Sequence, residues 1–525
     1  MSSVSVDPLD APGAHAPAAP GLAAPGGGGA APAGGPGVEP AGDDGVWSPG
    51  RRRLTAALVL TITLVAFESL AIATVMPVVS DDLGGLGLYG WVFSGFFLGS
   101  LLGIVLAGWA ADRRGTRLPF AAGLVLFTIG LLIGGTAQSM PMLVAGRVAQ
   151  GLGAGVIPAV AYATVARSYP PALRPRVFAV FSSAWVVPGL VGPAAASGIE
   201  HATSWRVVFL ALLPFVAVAA ALALPVLSDR APRGKGAVDG VGDGGPPAPD
   251  SGVGEGGDKG AAAAGDPDPD ARRRNAVVLV AGAALVLGGL GAHQPALAVA
   301  LVVAGALPAT WAFVRLVPAG TTRLVPGLPA TVAARGILTF AFFGTDAFVS
   351  LAVTDGHDAP TWIAGLALTG ATLAWTSGAW VQQRVVLSRG PRWLVRRGFG
   401  VIAAGIGLLM VALVPGVPVA ATVLAWTVGG LGMGLSYAPI SVTVLGTAEP
   451  GQEGRASASL QLTDVLGVAL GTGVTGVFVA LGDGRDWATS TSLTLAFAVT
   501  LAVAVGGIVA AGRLPRRLPG AATVD

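Results

Sequence analysis

The stretch 54–79, LTAALVLTITLVAFESLAIATVMPVV, decides the fold: it carries a single charged side chain, Glu68, in a run long enough to cross a bilayer as a helix. About 30 Å of hydrocarbon takes about 20 apolar residues at 1.5 Å each. Similar runs follow at approximately 89–111, 118–137, 141–166, 176–199, 205–227, 275–292, 295–315, 330–353, 361–386, 397–414, 418–446, 457–481 and 488–511. The chain reads as an all-α membrane protein of about fourteen spans. Its 525 residues are 53% hydrophobic and 11% charged, against about 25% charged in soluble domains.

Basic residues in short flanking loops are held on the cytoplasmic side, which fixes the orientation. With the first span running outward, 28 of the 31 Lys and Arg fall on that side, Arg335 among them, leaving Arg206 and Arg485 outside and Arg147 within a span. Both termini are then cytoplasmic. The net charge of +3 thus describes membrane orientation, and the dispersed basic groups predict no nucleic-acid binding. With no cysteine, disulfides, thiol nucleophiles and Cys-based metal sites are excluded. Residues 1–50 lack the basic and apolar regions of a secretory signal, and with 228–274 they form Ala/Gly/Pro-rich tracts expected to be disordered cytoplasmic tail and linker. Residues 228–274 read as a flexible linker, with a regulatory or docking loop as the alternative.

Four charges lie well inside the apolar runs: Glu68, Arg147, Asp346 and Asp464. Each costs about 2.5–3.5 kcal/mol at the bilayer centre, so each is a candidate for ion or substrate handling. Internal repetition relates two of them. Trp91, Gly99, Trp109 and Arg113 recur 271 residues later as Trp362, Gly370, Trp380 and Arg384, and Gly151, Gly153 and Gly155 recur 279 later as Gly430, Gly432 and Gly434. Glu68 maps onto Asp346, 278 later. A fixed offset marks a duplicated unit. The expected architecture is therefore two pseudo-symmetric six-helix bundles, 51–227 and 318–512, with two additional helices in 275–317 between them and a tail at 513–525.

Several motifs carry a family resemblance. Gly108-Trp-Ala-Ala-Asp112-Arg113-Arg114-Gly115-Thr-Arg117, in the loop after the second span, resembles the signature loop of the major facilitator superfamily. Leu143 to Gly155 resembles its fourth-helix motif, and Glu68 to Pro77 resembles the first-helix motif of its fourteen-span drug/proton antiporters. Pro188-Gly189-Leu-Val-Gly192-Pro193, continuing to Gly198, resembles the fifth-helix motif of exporters that exchange substrate for protons, with Gly189, Gly192 and Pro193 in its key places. Departures are Pro188 for Gly, Ala196 and Ser197 for glycines, Glu68 for Asp, and Gln383 at the second-half counterpart of Asp112. The resemblance implies a cytoplasmic latch at Asp112, Arg113 and Arg117, one-sided because of Gln383; a solvated charged loop is the alternative.

Low dielectric favours the neutral acid, so small changes in hydration can load or unload a proton. Glu68 lies nine residues from Pro77, roughly 13 Å, and Asp346 eleven from Arg335, roughly 16 Å, placing both near mid-membrane and facing a central cavity from opposite bundles. Arg147 comes within reach of Glu68 if the first and fourth helices are neighbours, either as a switchable partner or as a structural ion pair. Asp464 reads as a coupling site or a hydrogen-bonded interior acid. Phe67, Trp185, Phe342, Phe343, Trp375, Trp426 and Tyr437 are candidates to line an apolar substrate cavity, or else to pack between helices.

The expectation is a secondary transporter working by alternating access, exporting hydrophobic or cationic drugs in exchange for protons, with no cofactor beyond the proton and acting as a monomer in the lipid bilayer. An endogenous lipid or secondary metabolite is the alternative cargo. An enzyme would need a convergent polar cluster that no span supplies, and a sensor a folded soluble domain. The Ala/Gly/Arg-rich, Lys-poor composition fits a high-GC bacterium and hence the cytoplasmic membrane.

Overall fold

The computed structural model describes residues 45–227 and 269–517, apart from 50, 170–172, 174–175, 178–179, 182–183, 185, 293 and 450–451. Every regular element in the described residues is helical. That follows from the solvent, since hydrocarbon offers the backbone no hydrogen-bond partner and a helix satisfies its own N–H and C=O groups.

The first group comprises α1 (Arg52–Leu83), α2 (Tyr89–Arg114), α3 (Arg117–Gly135), α4 (Met140–Ser168), α5 (Val186–Ala202), α6 (Trp205–Leu210) and α7 (Leu213–Ala223). An antiparallel pair follows, α8 (Pro269–Leu290) and α9 (Pro295–Leu316). The second group is α10 (Leu328–Asp346), α11 (Val349–His357), α12 (Thr361–Ala412), α13 (Ala420–Thr447), α14 (Glu453–Asp483) and α15 (Thr489–Ala511).

Twelve helical segments among the described residues are long and apolar enough to cross a membrane, and the protein is a multi-pass membrane protein. Two places separate this count from the fourteen expected. The runs 361–386 and 397–414 merge into α12, which is interrupted by a non-helical Gly390 at φ 75°, ψ 165°. The run 176–199 contains five residues outside the described set, and its regular helix, α5, begins only at Val186 and has 17 residues. A further boundary shifts as well: residues 269–274, expected in the linker, form the first turns of α8.

Without a hydrophobic force between helices in lipid, close backbone approach through small residues holds them together. In the first group a Cβ added at Gly103, Gly151 or Gly155 would run into the carbonyls of Leu152, Phe96 and Ser100, respectively. In the second group Gly378, Gly430 and Gly434 meet the carbonyls of Leu431, Ala371 and Trp375 in the same way. These contacts recur in the two groups, with the second helix in a different register from the one read in the sequence. Gly103 and Gly378 are the packing equivalents, so the second helix repeats at 275, one helical turn beyond the 271 read from the tryptophans. A four-residue slip keeps the same helix face, which is why the sequence pattern tolerates both registers.

The two groups meet through matched contacts. The backbones of Gly90 on α2 and Gly476 on α14 touch, and a Cβ on either would collide with the other's Cα. On the other side, a Cβ at Gly189 of α5 would strike Thr372 of α12, and one at Gly365 would lie 3.5 Å from the Pro193 carbonyl. Tyr89 at the start of α2 packs on Phe348 with ring centroids 5.1 Å apart, both fully buried, closing the interface at that end. The α8–α9 pair is stapled by the reciprocal close approach of Gly282 and Gly305. It packs its apolar face, including Leu279, Ala283 and Leu287, on Leu98 and Leu101 of α2 and Leu462 and Leu466 of α14.

Gly151→Ala is expected to destabilise the protein by about 1–3 kcal/mol through overpacking. Gly108→Ala, whose Cβ would meet nothing within 4 Å, should stay within about 0.5 kcal/mol of wild type. Unfolding of the detergent-solubilised protein measures both.

Candidate functional site

Glu68 sits mid-way along α1 with no exposed surface, and Arg147 of α4 is 2% exposed beside it. The Arg147 Nη1 donates to Glu68 Oε1 and, at 2.8 Å, to Gln150 Oε1 one turn on. Its Nε–H donates to the Val92 carbonyl at 3.1 Å, and the guanidinium lies 4.2 Å above the Phe96 ring. Glu68 Oε2 and Gln150 Nε2 remain without a hydrogen-bond partner. The expected neighbourhood of the first and fourth helices is therefore present. The expectation that Glu68 faces the central cavity is corrected: its side chain has no exposed surface and the ion pair is sealed within the first group, because a charge this deep is retained only where an opposite charge and donors surround it.

Asp346 is the last residue of α10, where Ala347 and Phe348 break the helix before α11. It is half-buried, and its Oδ1 accepts from the Trp426 indole N–H at 2.7 Å. Trp426 follows Arg147 by 279 residues, the offset of the glycine motif, so the two partners are repeat equivalents. A cation in the first group is replaced by a neutral donor in the second. The next equivalent pair explains how the indole fits: Gln150 becomes Gly429, and a Cβ there would lie 2.9 Å from the Trp426 ring.

Around this acid the aromatic residues converge. Phe342 stacks on Trp426 at 4.9 Å, with Phe343 and Trp375 edge-on to Phe342 at 5.2 and 5.7 Å. Trp375 then meets Tyr437 at 5.4 Å. The cluster leads to the second acid, since Tyr437 Oη donates to Asp464 Oδ2 at 3.0 Å. Trp426 and Phe342 are buried, whereas Phe343, Trp375 and Tyr437 keep accessible surface.

Arg335, expected in a cytoplasmic flank, is instead buried within α10 at 2% exposure, a correction that follows from its partners. Its Nε is 3.7 Å from Asp464 Oδ1, its guanidinium lies 3.5 Å above the Tyr437 ring, and its Nη2 donates to Ser441. Asp464 remains 23% exposed, so the acid of this pair faces open space and the cation does not. The signal for Arg335 was present in the sequence: it falls five residues inside its own apolar run.

Of the remaining candidates, Phe67 is half-buried on α1 beside Gly192 of α5, and Trp185 lies outside the described residues. Gly189, Gly192 and Pro193 sit where α5 packs against α1 and α12. At the opposite end of α2, the Asp112 side chain is outside the described residues and Arg117 is exposed. Arg113 pairs at 3.2 Å with Asp270 of α8, which also accepts from the Trp109 indole at 3.1 Å. Asp270 was hidden from the sequence reading by its place at the edge of a Gly/Pro-rich tract. No group of three His, Asp or Glu among the described residues is placed to hold a metal.

Residues 58–472 match the model of the Major Facilitator Superfamily. The chain belongs to that superfamily. It is a transporter, not an enzyme. It is 26% identical over 476 residues to a "probable multidrug-efflux transporter" of Mycobacterium tuberculosis, covering 87% of this chain and 94% of the relative. A shorter match, 27% over 168 residues, links 32% of it to 38% of a multidrug efflux pump of Staphylococcus aureus. Among solved structures, a D-xylose-proton symporter superposes with a TM-score of 0.61 at 14% identity, over 90% of this chain and 99% of that one, which shows the shared fold.

Arg147→Gln, which strands the Glu68 carboxylate, should cost about 3–5 kcal/mol of stability. Glu68→Gln with Arg147→Gln should recover much of it, read as thermal unfolding in detergent.

Proposed function

We propose that the protein exports hydrophobic or cationic small molecules, including drugs, in exchange for protons by alternating access. The observation that carries this reading is Asp346: a half-buried carboxylate at a helix break, held by a neutral indole donor and surrounded by an aromatic cluster that runs on to Asp464. An acid without a bound cation gains and loses a proton with little structural rearrangement, and aromatic faces attract apolar and cationic ligands. Asp346 is the proton carrier in this scheme and Asp464, on its exposed side, the site that senses substrate or water. Glu68 and Arg147 form the charge-compensated counterpart, whose separation on protonation loosens α1 from α4. The printed descriptions of the mycobacterial and staphylococcal relatives support drug-like cargo.

The reading extends to topology. Fourteen crossings, with both termini inside a bacterial cytoplasmic membrane, are supported by the Gly390 break within α12 and by α5 between the first-group helices. Arg113 with Asp270 then ties the inner end of α2 to the inserted pair as a latch, together with Asp112 and Arg117.

Drug-driven proton movement in proteoliposomes tests the proposal. Asp346→Asn should reduce coupled transport at least tenfold while leaving the protein folded, and Glu68→Gln should impair turnover. Both variants transporting with unchanged proton coupling would contradict it.

A further inference from the structure

The second copy of the loop between the second and third helices of the repeat is built differently from the first. At Gly390 the chain takes φ 75°, a left-handed conformation suited to glycine, and Pro391 restarts the helix. A Cβ at Gly390 would fall on the carbonyl oxygen of Arg516, so the segment after α15 lies across the bend. Arg389 precedes the bend, Arg392 and Arg396 stand one turn apart after it, Arg397 is next, and Arg516 approaches from the C-terminal segment. With Trp393 and Ile508, these five arginines line a cavity of about 560 Å³.

No carboxylate lines this cavity, and none of its five arginines makes an ion pair among the described residues. In the corresponding loop of the first half, by contrast, Arg113 pairs with a carboxylate, Asp270. Convergent cations without acids are held together only at an electrostatic cost, unless an anion joins them. Guanidinium groups present planar forks that match phosphate oxygens. The guanidiniums of Arg389 and Arg397 also flank the Trp393 ring, 5.6 and 5.3 Å from its centroid, which holds them toward the same space.

The surroundings favour one source of phosphate. Leu387 on α12, two residues before Arg389, and Val509 on α15, next in sequence to Ile508, are 76% and 73% exposed, so the helix ends that carry the cavity also carry bare apolar side chains of the kind that face acyl chains. A basic pocket between helix ends, open to hydrocarbon, suits an anionic headgroup with its tails attached. We infer that the Gly390 bend, closed by the C-terminal segment, is a binding site for the phosphate of an anionic phospholipid. The bound lipid would bridge α12 to the chain after α15.

Native mass spectrometry of the full chain, released from nanodiscs of mixed phosphatidylcholine and phosphatidylglycerol, reads this directly. Wild type should retain phosphatidylglycerol at least fivefold over its share of the bilayer. Arg392→Gln/Arg396→Gln/Arg397→Gln should lose that enrichment, and Arg396→Gln alone, an exposed and structurally mild change, should roughly halve it. Arg323→Gln/Arg455→Gln, which removes charge elsewhere, should retain it. Enrichment persisting in the triple variant, or falling equally in the control, would overturn the site. So would inorganic phosphate in pure phosphatidylcholine nanodiscs raising the unfolding temperature as much as phosphatidylglycerol does, since that would assign the cavity to a free anion.

Discussion

A charge in hydrocarbon must be compensated, and the organisation of this protein follows how each buried acid meets that requirement. Glu68 meets it with a cation, Arg147, supported by Gln150 and a backbone carbonyl. Asp464 meets it partly with Arg335 and partly with the Tyr437 hydroxyl. Among the described residues Asp346 has only the Trp426 indole. One duplicated framework therefore holds three carboxylates under three different electrostatic regimes, from a sealed ion pair to an acid with a neutral donor.

The duplication makes the comparison direct. Arg147 and Trp426 occupy the same place one turn before the glycine motif of their helices, where Gly151 and Gly430 bring α4 and α13 against the carbonyls of the neighbouring helix. The glycine-to-carbonyl packing is the same in both halves, and the side chains beside it differ. Glycine at 429, where the first half has Gln150, leaves space for the Trp426 indole, which stacks on Phe342, itself in contact with Phe343 and Trp375. The asymmetry between the two halves at the buried acids thus coincides with two side-chain differences, Arg147 against Trp426 and Gln150 against Gly429, on matched backbone packing.

The helical, multi-pass character, the repeated glycine spacing and the Glu68–Arg147 contact were legible in the sequence, because long apolar runs, glycine spacings and isolated charges each carry physical meaning in a bilayer, although twelve rather than fourteen described helices are long and apolar enough to cross it. Arg335 was misplaced because an arginine near a span end ordinarily marks the cytoplasmic flank. Its burial depends on Asp464 and Tyr437, more than 100 residues away. Asp270 was missed for a similar reason, since its role depends on Trp109 and Arg113 of a distant helix. The helix break after Asp346 left no proline or glycine signal at Ala347 and Phe348. Side-chain partnerships across helices are set by tertiary packing, which composition and periodicity do not encode.

The central claim is that Asp346 changes protonation during the transport cycle while Glu68 stays tied to Arg147 in the resting state. Infrared difference spectroscopy of the reconstituted protein, with and without a transported cation, measures protonated carboxyl groups directly. Substrate should remove a carboxylic-acid band that is absent in Asp346→Asn and retained in Glu68→Gln. A band that survives in Asp346→Asn and disappears in Glu68→Gln would contradict the account.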